Sequence, residues 1–292
     1  MIASWTICTD FEHQHRRIRS DGQLLATWSG FNPTDTPTLC FREADAVWIV
    51  RANQGGIRFT QHKHDLYLYP KEGTDAEQFK RMAFHDWLPF VYNFWGLQVL
   101  HASAAFHSPT RRVVAFSGLS GAGKSTFGFG LGCLPHWRQI ADDSLAFTAE
   151  LDSLRLLPIP NEALLRPASA HYYGDREPGS RHLDWVEGPL SLKQIYFLEP
   201  TDDLEAPVCL LRVSRGRGYM LLLPQAYTLA LDTHSEDAAL IERPQDNRQQ
   251  MVEYLSLASQ VSVFRLQYPR KFTALEEALS LIENDLLSDE TQ

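Results

Sequence analysis

The chain has 292 residues, of which 44% are hydrophobic and 22% are charged, and its net charge is −9. These values are typical of a globular protein, and the length allows one large domain or two ordinary ones. Because binding to a phosphate backbone needs a basic surface, the acidic balance argues against nucleic acid as a partner. The sequence shows no apolar run of about 18 residues and no charged N-terminal segment followed by an apolar core. We therefore expect neither a membrane span nor a secretion signal, and we predict a cytoplasmic protein.

The cysteines are widely separated and contain no C-x-x-C pair: Cys8, Cys40, Cys133 and Cys209. A zinc site or a disulfide framework needs closer or more regular spacing. The pattern favours buried, reduced thiols.

Residues 1–85 predict a small β-rich N-terminal domain that ends in a helix. Its β-type runs, at 46–51, 56–60 and 65–69, are separated by turn residues. Thr74 and Glu77 have the spacing of a capping box, which predicts a helix that Pro89 kinks or restarts and Gly96 ends. An aromatic cluster follows, for which we favour packing between the two parts of the chain over ligand contact: Trp87, Phe90, Tyr92, Phe94 and Trp95. We place the domain boundary near residue 85, with the chemistry in residues 86–292.

The most specific motif is G-x-x-x-x-G-K-S at residues 118–125. Residues 97–106 and 112–117 predict an antiparallel hairpin before it, and residues 126–131 can continue as a helix, which is the context of a phosphate-binding loop. Glycines let successive backbone N–H groups turn toward an oxyanion at the positive end of the new helix. The predicted nucleotide-binding residues are Gly118, Ser120, Gly121, Ala122, Gly123, Lys124, Ser125 and Thr126. In such a loop, Lys124 is expected to reach the β- and γ-phosphates of ATP, and Ser125 is expected to bind Mg²⁺. The alternative interpretation of the motif is a Gly/Ser-rich turn that binds no ligand.

Asp142 and Asp143 form the second informative feature. The gap from Lys124 leaves room for one helix and one short strand, so the pair is expected at a strand end near the loop. Two carboxylates there suit phosphoryl transfer, because one can bind Mg²⁺ and the other can accept a hydroxyl proton. A solvated turn is the alternative, as for Asp202 and Asp203.

Arginines that could neutralise the transferred phosphoryl group are less well defined. Arg166 is a candidate on the acceptor side, and the basic segment 214–218 is either a mobile loop over the nucleotide or a solvated turn. We expect structural roles for Arg265 and Arg270. A final amphipathic helix is predicted from Thr273.

Residues 100–104, 117–126 and 141–143, which include His101, the phosphate loop and the Asp pair, resemble the catalytic domain of HPr kinase/phosphorylase, a bacterial protein-serine kinase. The wider set of kinases related to that enzyme is the closer likeness. The active site also resembles that of phosphoenolpyruvate carboxykinase, which shares the phosphate loop and the Asp pair. The match covers residues 97–147. It implies an α/β P-loop kinase domain of this type, placed after the small β-rich N-terminal domain.

The resemblance further implies a protein or peptide hydroxyl as acceptor and a place for His101 near the transferred phosphoryl group. It favours Asp142 as general base and Asp143, with Ser125, on the metal. From the residues alone, His101 between apolar neighbours is equally a buried strand residue. The chain has no Glu-x-Arg-Gly-Leu-Gly-type segment, so neither a phosphorylase reaction nor HPr itself as substrate is implied.

The sequence thus predicts an ATP- and Mg²⁺-dependent kinase that transfers the γ-phosphoryl group to a hydroxyl, a serine of a protein or peptide. Two alternatives stay open: a kinase acting on a small metabolite, and a nucleotide-binding regulatory module without efficient catalysis. The second carboxylate argues against the module, because a binder without chemistry does not need it. A homo-oligomer is compatible with the sequence.

Overall fold

The computed structural model describes residues 4–28, 36–60, 62–150, 153–157, 159, 162–174, 190–227 and 247–288. Their backbone is mixed α/β and falls into two compact units, which divide between Gly96 and Leu97. No helix in these ranges is long and apolar enough to cross a membrane. The four cysteines, all described, form no disulfide; Cys40 is buried as expected, whereas Cys133 is exposed, so the expectation of burial is wrong there.

The first unit is built on a six-stranded sheet with the order β1-β6-β5-β4-β3-β2. Strands β2 to β6 are antiparallel neighbours, and β1 runs parallel to β6. Its elements are β1 (Ser4–Ile7), α1 (Phe11–Asp21), β2 (Gln23–Trp28), β3 (Thr38–Glu43), β4 (Ala46–Arg51), β5 (Gly55–Thr60), β6 (Asp65–Pro70), α2 (Ala76–Asp86) and α3 (Leu88–Phe94). The three runs predicted as strands are β4, β5 and β6, and Trp48, Val50 and Tyr69 of β4 and β6 pack in one core with Phe11 and Ile18 of α1.

Helix α2 begins one residue later than the predicted capping box. The cap is Asp75, whose carboxylate accepts the Gln78 backbone N–H at 2.7 Å, and Thr74 is not used. Pro89 lies in the first turn of a separate helix, α3, where its missing N–H costs nothing, and Gly96 follows with φ +82°.

The division lies after α3, whereas the sequence-based boundary near residue 85 falls inside α2. The aromatic side chains explain the difference, because they pack within the first unit. Phe94 lies 5.4 Å from Phe59, ring centroid to centroid, and Trp95 donates its indole N–H to the Thr60 carbonyl at 2.8 Å. Both helices therefore belong with the sheet that precedes them.

The second unit contains a six-stranded sheet with the order β10-β8-β9-β13-β15-β14 and a three-stranded sheet with the order β12-β11-β7. Strands β9, β13 and β15 are parallel; β8, β10 and β14 run antiparallel to their neighbours. Its elements are β7 (Gln98–Leu100), β8 (Ala102–His107), β9 (Arg112–Ser117), α4 (Lys124–Gly132), β10 (Trp137–Ala141), β11 (Leu145–Glu150), β12 (Ser153–Leu157), α5 (Pro167–Tyr172), β13 (Ser191–Thr201), β14 (Cys209–Arg212), α6 (Arg215–Leu222), a 3₁₀ turn (Leu223–Gln225), α7 (Asn247–Gln260), β15 (Ser262–Pro269) and α8 (Phe272–Ser288).

Alternate residues of the six-stranded sheet face two separate cores, as the period of a strand requires. Val114 and Tyr196 pack on one face with residues of α4 and α8, such as Phe127 and Ile282. Val113 and Ala115 of β9 pack on the other face with α6, α7 and the three-stranded sheet. The predicted hairpin is confirmed as β8–β9, but the first predicted strand is interrupted at His101, which separates β7 from β8.

Candidate active site

The phosphate loop joins the end of β9 to the start of α4, the position that the sequence predicts. Its glycines have φ values of +141° at Gly118, +80° at Gly121 and +94° at Gly123, which side chains with a Cβ rarely adopt. At Gly118 a Cβ would also lie 2.9 Å from the Leu198 carbonyl oxygen on β13. The loop therefore needs glycine both for its turn and for its close approach to the sheet.

Lys124 is folded back onto the loop and is 7% exposed. Its ammonium group donates to the carbonyls of Gly118 at 3.0 Å and Leu119 at 3.2 Å. Burial lowers its pKa and Arg166 adds to that effect, while the nearby charges of Asp143 and Asp142 raise it. A partly desolvated cation thus lies near two carboxylates at the start of α4.

Asp142 follows the last residue of β10 and is 2% exposed. One carboxylate oxygen accepts the Leu164 backbone N–H at 2.9 Å, and the side chains of Ser125 and Ser103 lie close enough to affect the pKa of the carboxyl. Burial raises the pKa of Asp142 to about 6, although the Leu164 N–H and the hydroxyls of Ser125 and Ser103 oppose that rise, and Asp143 adds to it. The serine and the first aspartate predicted from sequence are therefore close together.

Asp143 adopts φ +62°, a left-handed conformation that is uncommon outside glycine. One carboxylate oxygen lies 2.9 Å from Nε2 of His101, and the other accepts the hydroxyl of Tyr227. The side chains of His101 and Asp143 are 30% and 27% exposed. Asp143 therefore faces the accessible side of the pair, and the predicted site residue His101 contacts it directly.

Strand register explains why these residues meet. Ala102 of β8 pairs with Ser117 of β9, and Ala141 of β10 pairs with Ala104 of β8. The start of β8 thus lies beside the ends of β9 and β10, which brings His101, the loop and the Asp pair to one sheet edge. The hydroxyl of buried Ser103 reinforces the edge, since it donates to the Ala141 carbonyl at 3.0 Å.

Tyr227 is the site residue that sequence reasoning missed. The chain after the 3₁₀ turn runs along β7, where the Tyr227 N–H donates to the Val99 carbonyl at 2.8 Å and Gln225 accepts the His101 N–H at 2.8 Å. Tyr227 and His101 also meet edge to face, with ring centroids 5.6 Å apart. A lone tyrosine far along the chain carries no motif, so no sequence signal pointed to it.

Two arginines approach the phosphate loop at Gly121. A guanidinium nitrogen of Arg166 lies 3.6 Å from the position that a Cβ on Gly121 would take. Arg270 donates to the Gly121 carbonyl at 3.2 Å and pairs with exposed Asp202; these are structural contacts, as expected, and the first of them is made to the loop. Arg265 has the expected structural contact, an ion pair with Glu199 at 2.6 Å.

The basic segment 214–218 is neither a mobile loop over the nucleotide nor a solvated turn. It forms the cap and first turn of α6, because Ser214 accepts the Arg217 backbone N–H. Ser214 and Arg215 lie beside the first residues of β15, at the opposite end of the sheet from the phosphate loop. The structure therefore removes this segment from the candidate site.

Within the described residues, no group of three or more His, Cys, Asp or Glu side chains is arranged to hold a metal ion. The Ser125 hydroxyl and the Asp142 carboxylate nevertheless form a pair of hard oxygen donors, which is the chemistry that Mg²⁺ prefers. Such an ion would need phosphate oxygens of a nucleotide to complete its coordination, as is usual for Mg²⁺. No protein-family model matches the chain, and no curated protein matches it either.

Proposed function

We propose that this protein is an ATP-dependent kinase with a P-loop kinase domain of the HPr kinase/phosphoenolpyruvate carboxykinase type. The observation that carries the proposal is the convergence of Lys124, Ser125, Asp142 and Asp143 at one sheet edge, with the serine close to Asp142. A phosphate loop alone binds a nucleotide. A second carboxylate that is accessible, next to a histidine, supplies the group that accepts a proton from a hydroxyl.

The contacts support a division of labour between the carboxylates. Asp142 is buried close to the Ser125 hydroxyl, so these two side chains would hold a Mg²⁺ ion, whose charge would offset the cost of ionising Asp142. Asp143 is the more exposed carboxylate, so it lies on the acceptor side. This assignment reverses the one that the family resemblance favours.

In the proposed reaction, the acceptor oxygen forms a bond to the γ-phosphorus as the bond from that phosphorus to the β–γ bridging oxygen breaks. The acceptor proton passes to Asp143, and ADP leaves with the bridging oxygen. His101 and Tyr227 hold the Asp143 carboxylate in place through its two oxygens. Lys124 and Arg166 place positive charge at the loop, where the transferred group carries negative charge.

A serine of a protein or peptide is the acceptor we propose, on the strength of the family resemblance. A kinase that acts on a small metabolite is one alternative; it would use the same catalytic groups and differ only in the hydroxyl acceptor that binds next to Asp143. A nucleotide-binding regulatory module is the alternative of another class, and it predicts binding without transfer.

The test is transfer of the labelled γ-phosphoryl group of ATP, in the presence of Mg²⁺, to serine peptides, to small hydroxyl compounds and to water. We expect time-dependent transfer by the full chain that Lys124→Ala abolishes. Lys63→Ala removes an exposed lysine of the first unit and is the matched control. Tight ATP binding with no transfer to any acceptor would contradict the kinase and favour the regulatory module.

A further inference from the structure

A cavity separate from the candidate active site lies at the other end of the six-stranded sheet, away from the phosphate loop. The cavity has a volume of about 200 Å³ and is lined by Lys193, Arg212, Ser214, Arg215 and Ser262, together with the end of α7. Lys193 and Ser262 lie at the starts of the parallel strands β13 and β15, whereas the phosphate loop follows the end of β9. Phe197, which pairs with Ser117 just before the loop, lies four residues beyond Lys193, about 13 Å along the strand.

Three residues with cationic side chains, from three different elements, line this cavity. Lys193 comes from β13, Arg212 from the end of β14 and Arg215 from the first turn of α6. None of the residues that line the cavity is acidic. In a chain with net charge −9, this local excess of positive charge indicates a site for an anion.

Strand pairing brings the residues that carry two of these cations, Lys193 and Arg212, to the same end of the sheet. Gln194, next to Lys193, pairs with Ser262 of β15, and Arg212 pairs with Phe264 of the same strand. The Arg212 guanidinium donates to the Ser262 hydroxyl at 2.9 Å, which orients it at the start of β15. Arg215 reaches the cavity from the first turn of α6.

A purely structural explanation would have the cations neutralise the carbonyl end of α7, which also lines the cavity. That explanation predicts hydrogen bonds from the side chains to those carbonyls. Across the described ranges, the hydrogen bond that these three side chains make is the one from Arg212 to the Ser262 hydroxyl. No carboxylate within the same ranges forms an ion pair with Lys193 or Arg215.

We propose that this basic pocket binds a small phosphate-type oxyanion, either free or carried on a small molecule, at the end of the sheet away from the phosphate loop. The volume argues for one anionic group, because pockets that enclose larger ligands measure about 300–1,000 Å³. Two arginines and a lysine match the geometry and charge of a phosphoryl group. This binding site does not depend on the proposed kinase activity, and it lies away from the candidate active site.

The test is calorimetric titration of the full chain at constant ionic strength, with inorganic phosphate and separately with O-phosphoserine. Constant ionic strength keeps the screening of these exposed charges equal across samples. We expect saturable binding that the double variant Lys193→Gln, Arg215→Gln weakens about tenfold or more, because each lost cation removes a charge-assisted contact. Tighter binding of phosphoserine identifies a carried phosphoryl group as the ligand, and tighter binding of inorganic phosphate identifies the free ion.

Two further variants locate the binding. Arg138→Gln removes an exposed arginine of β10 outside the pocket and should leave the affinity unchanged. Lys124→Ala removes the cation of the phosphate loop and reports any phosphate that binds there instead. Loss of binding in Lys124→Ala with retention in the double variant overturns the proposal, and so does equal weakening by Arg138→Gln or the absence of saturable binding.

Discussion

Asp142 carries the most perturbed carboxylate of the candidate site. Burial raises its pKa from 3.8 to about 6, and the Leu164 N–H and the hydroxyls of Ser125 and Ser103 offset this rise only in part. A carboxylate held in this way is costly to ionise without a counter-ion, and a cation beside Ser125 would remove the cost. The pKa of Asp142 should therefore fall when a cation binds at the loop.

The first prediction concerns stability against pH in the absence of Mg²⁺. Because the pKa of Asp142 is higher in the folded chain, folding binds a proton between about pH 4 and pH 6, and stability falls as the pH rises through this window. The loss is complete above pH 6 and amounts to about 3 kcal/mol. Asp142→Asn should therefore be more stable than the parent at about pH 8 and lose this advantage near pH 4, as measured by denaturant unfolding.

Asp45→Asn is the control, since Asp45 lies exposed in the turn between β3 and β4. Its substitution should leave the pH profile of the parent unchanged. A parent and an Asp142→Asn variant with parallel profiles would mean that Asp142 is not a buried carboxyl of raised pKa.

The second prediction separates the two aspartates by kinetics. If Asp143 is the base, Asp143→Asn should keep the affinity for Mg·ATP and lower turnover by about 10²–10⁴-fold, the usual effect of a general base. Asp142→Asn should instead weaken Mg²⁺ dependence and nucleotide affinity together. Calorimetry and initial rates on both variants give the comparison, and the opposite pattern supports the assignment taken from the resemblance.

At the scale of elements, helix α4 holds the site together through its close approach to β8. Gly128 faces buried Ser103, and a Cβ there would overlap the serine hydroxyl oxygen. That hydroxyl also accepts from the Gln139 side chain at 3.1 Å and donates to the Ala141 carbonyl, just before the Asp pair. A side chain at position 128 of α4 would therefore displace the end of β10 as well as the helix.

The third prediction is that Gly128→Ala lowers the free energy of unfolding by about 1–3 kcal/mol, the usual cost of overpacking. Gly216→Ala in α6 is the matched control, because a Cβ there meets nothing within 4 Å. The control should be neutral or gain up to about 1 kcal/mol from helix propensity. Equal effects of the two substitutions in denaturant unfolding would contradict the packing argument.

Local sequence patterns predicted the elements that carry local signals. The phosphate loop between β9 and α4, the β8–β9 hairpin and the Asp pair after β10 all follow from spacing over a few tens of residues. The sequence-based prediction was wrong where one sequence pattern is compatible with two local structures. A basic, glycine-containing segment became the start of α6 once Ser214 capped it, and Asp75 displaced Thr74 as the cap of α2.

At the scale of the whole molecule, the predicted site residues all lie in the second unit, whose sheet brings together segments far apart in the chain. Tyr227 reaches Asp143, and Arg270 reaches Gly121, through contacts that no local periodicity encodes. The left-handed backbone at Asp143, which places its side chain between His101 and Tyr227, has no signature in composition either. The sequence thus predicts which loop and carboxylates form the candidate site, and tertiary packing decides which carboxylate is accessible.

The most direct test of the central claim, a nucleotide site at the loop of the second unit, is the stabilisation of the full chain by Mg·ATP. Ligand at one hundred times its Kd should raise the free energy of unfolding by about 2.7 kcal/mol. Lys124→Ala should lose this gain, and Lys63→Ala should keep it. An equal gain in Lys124→Ala and the parent, or no gain in the parent, would contradict the account.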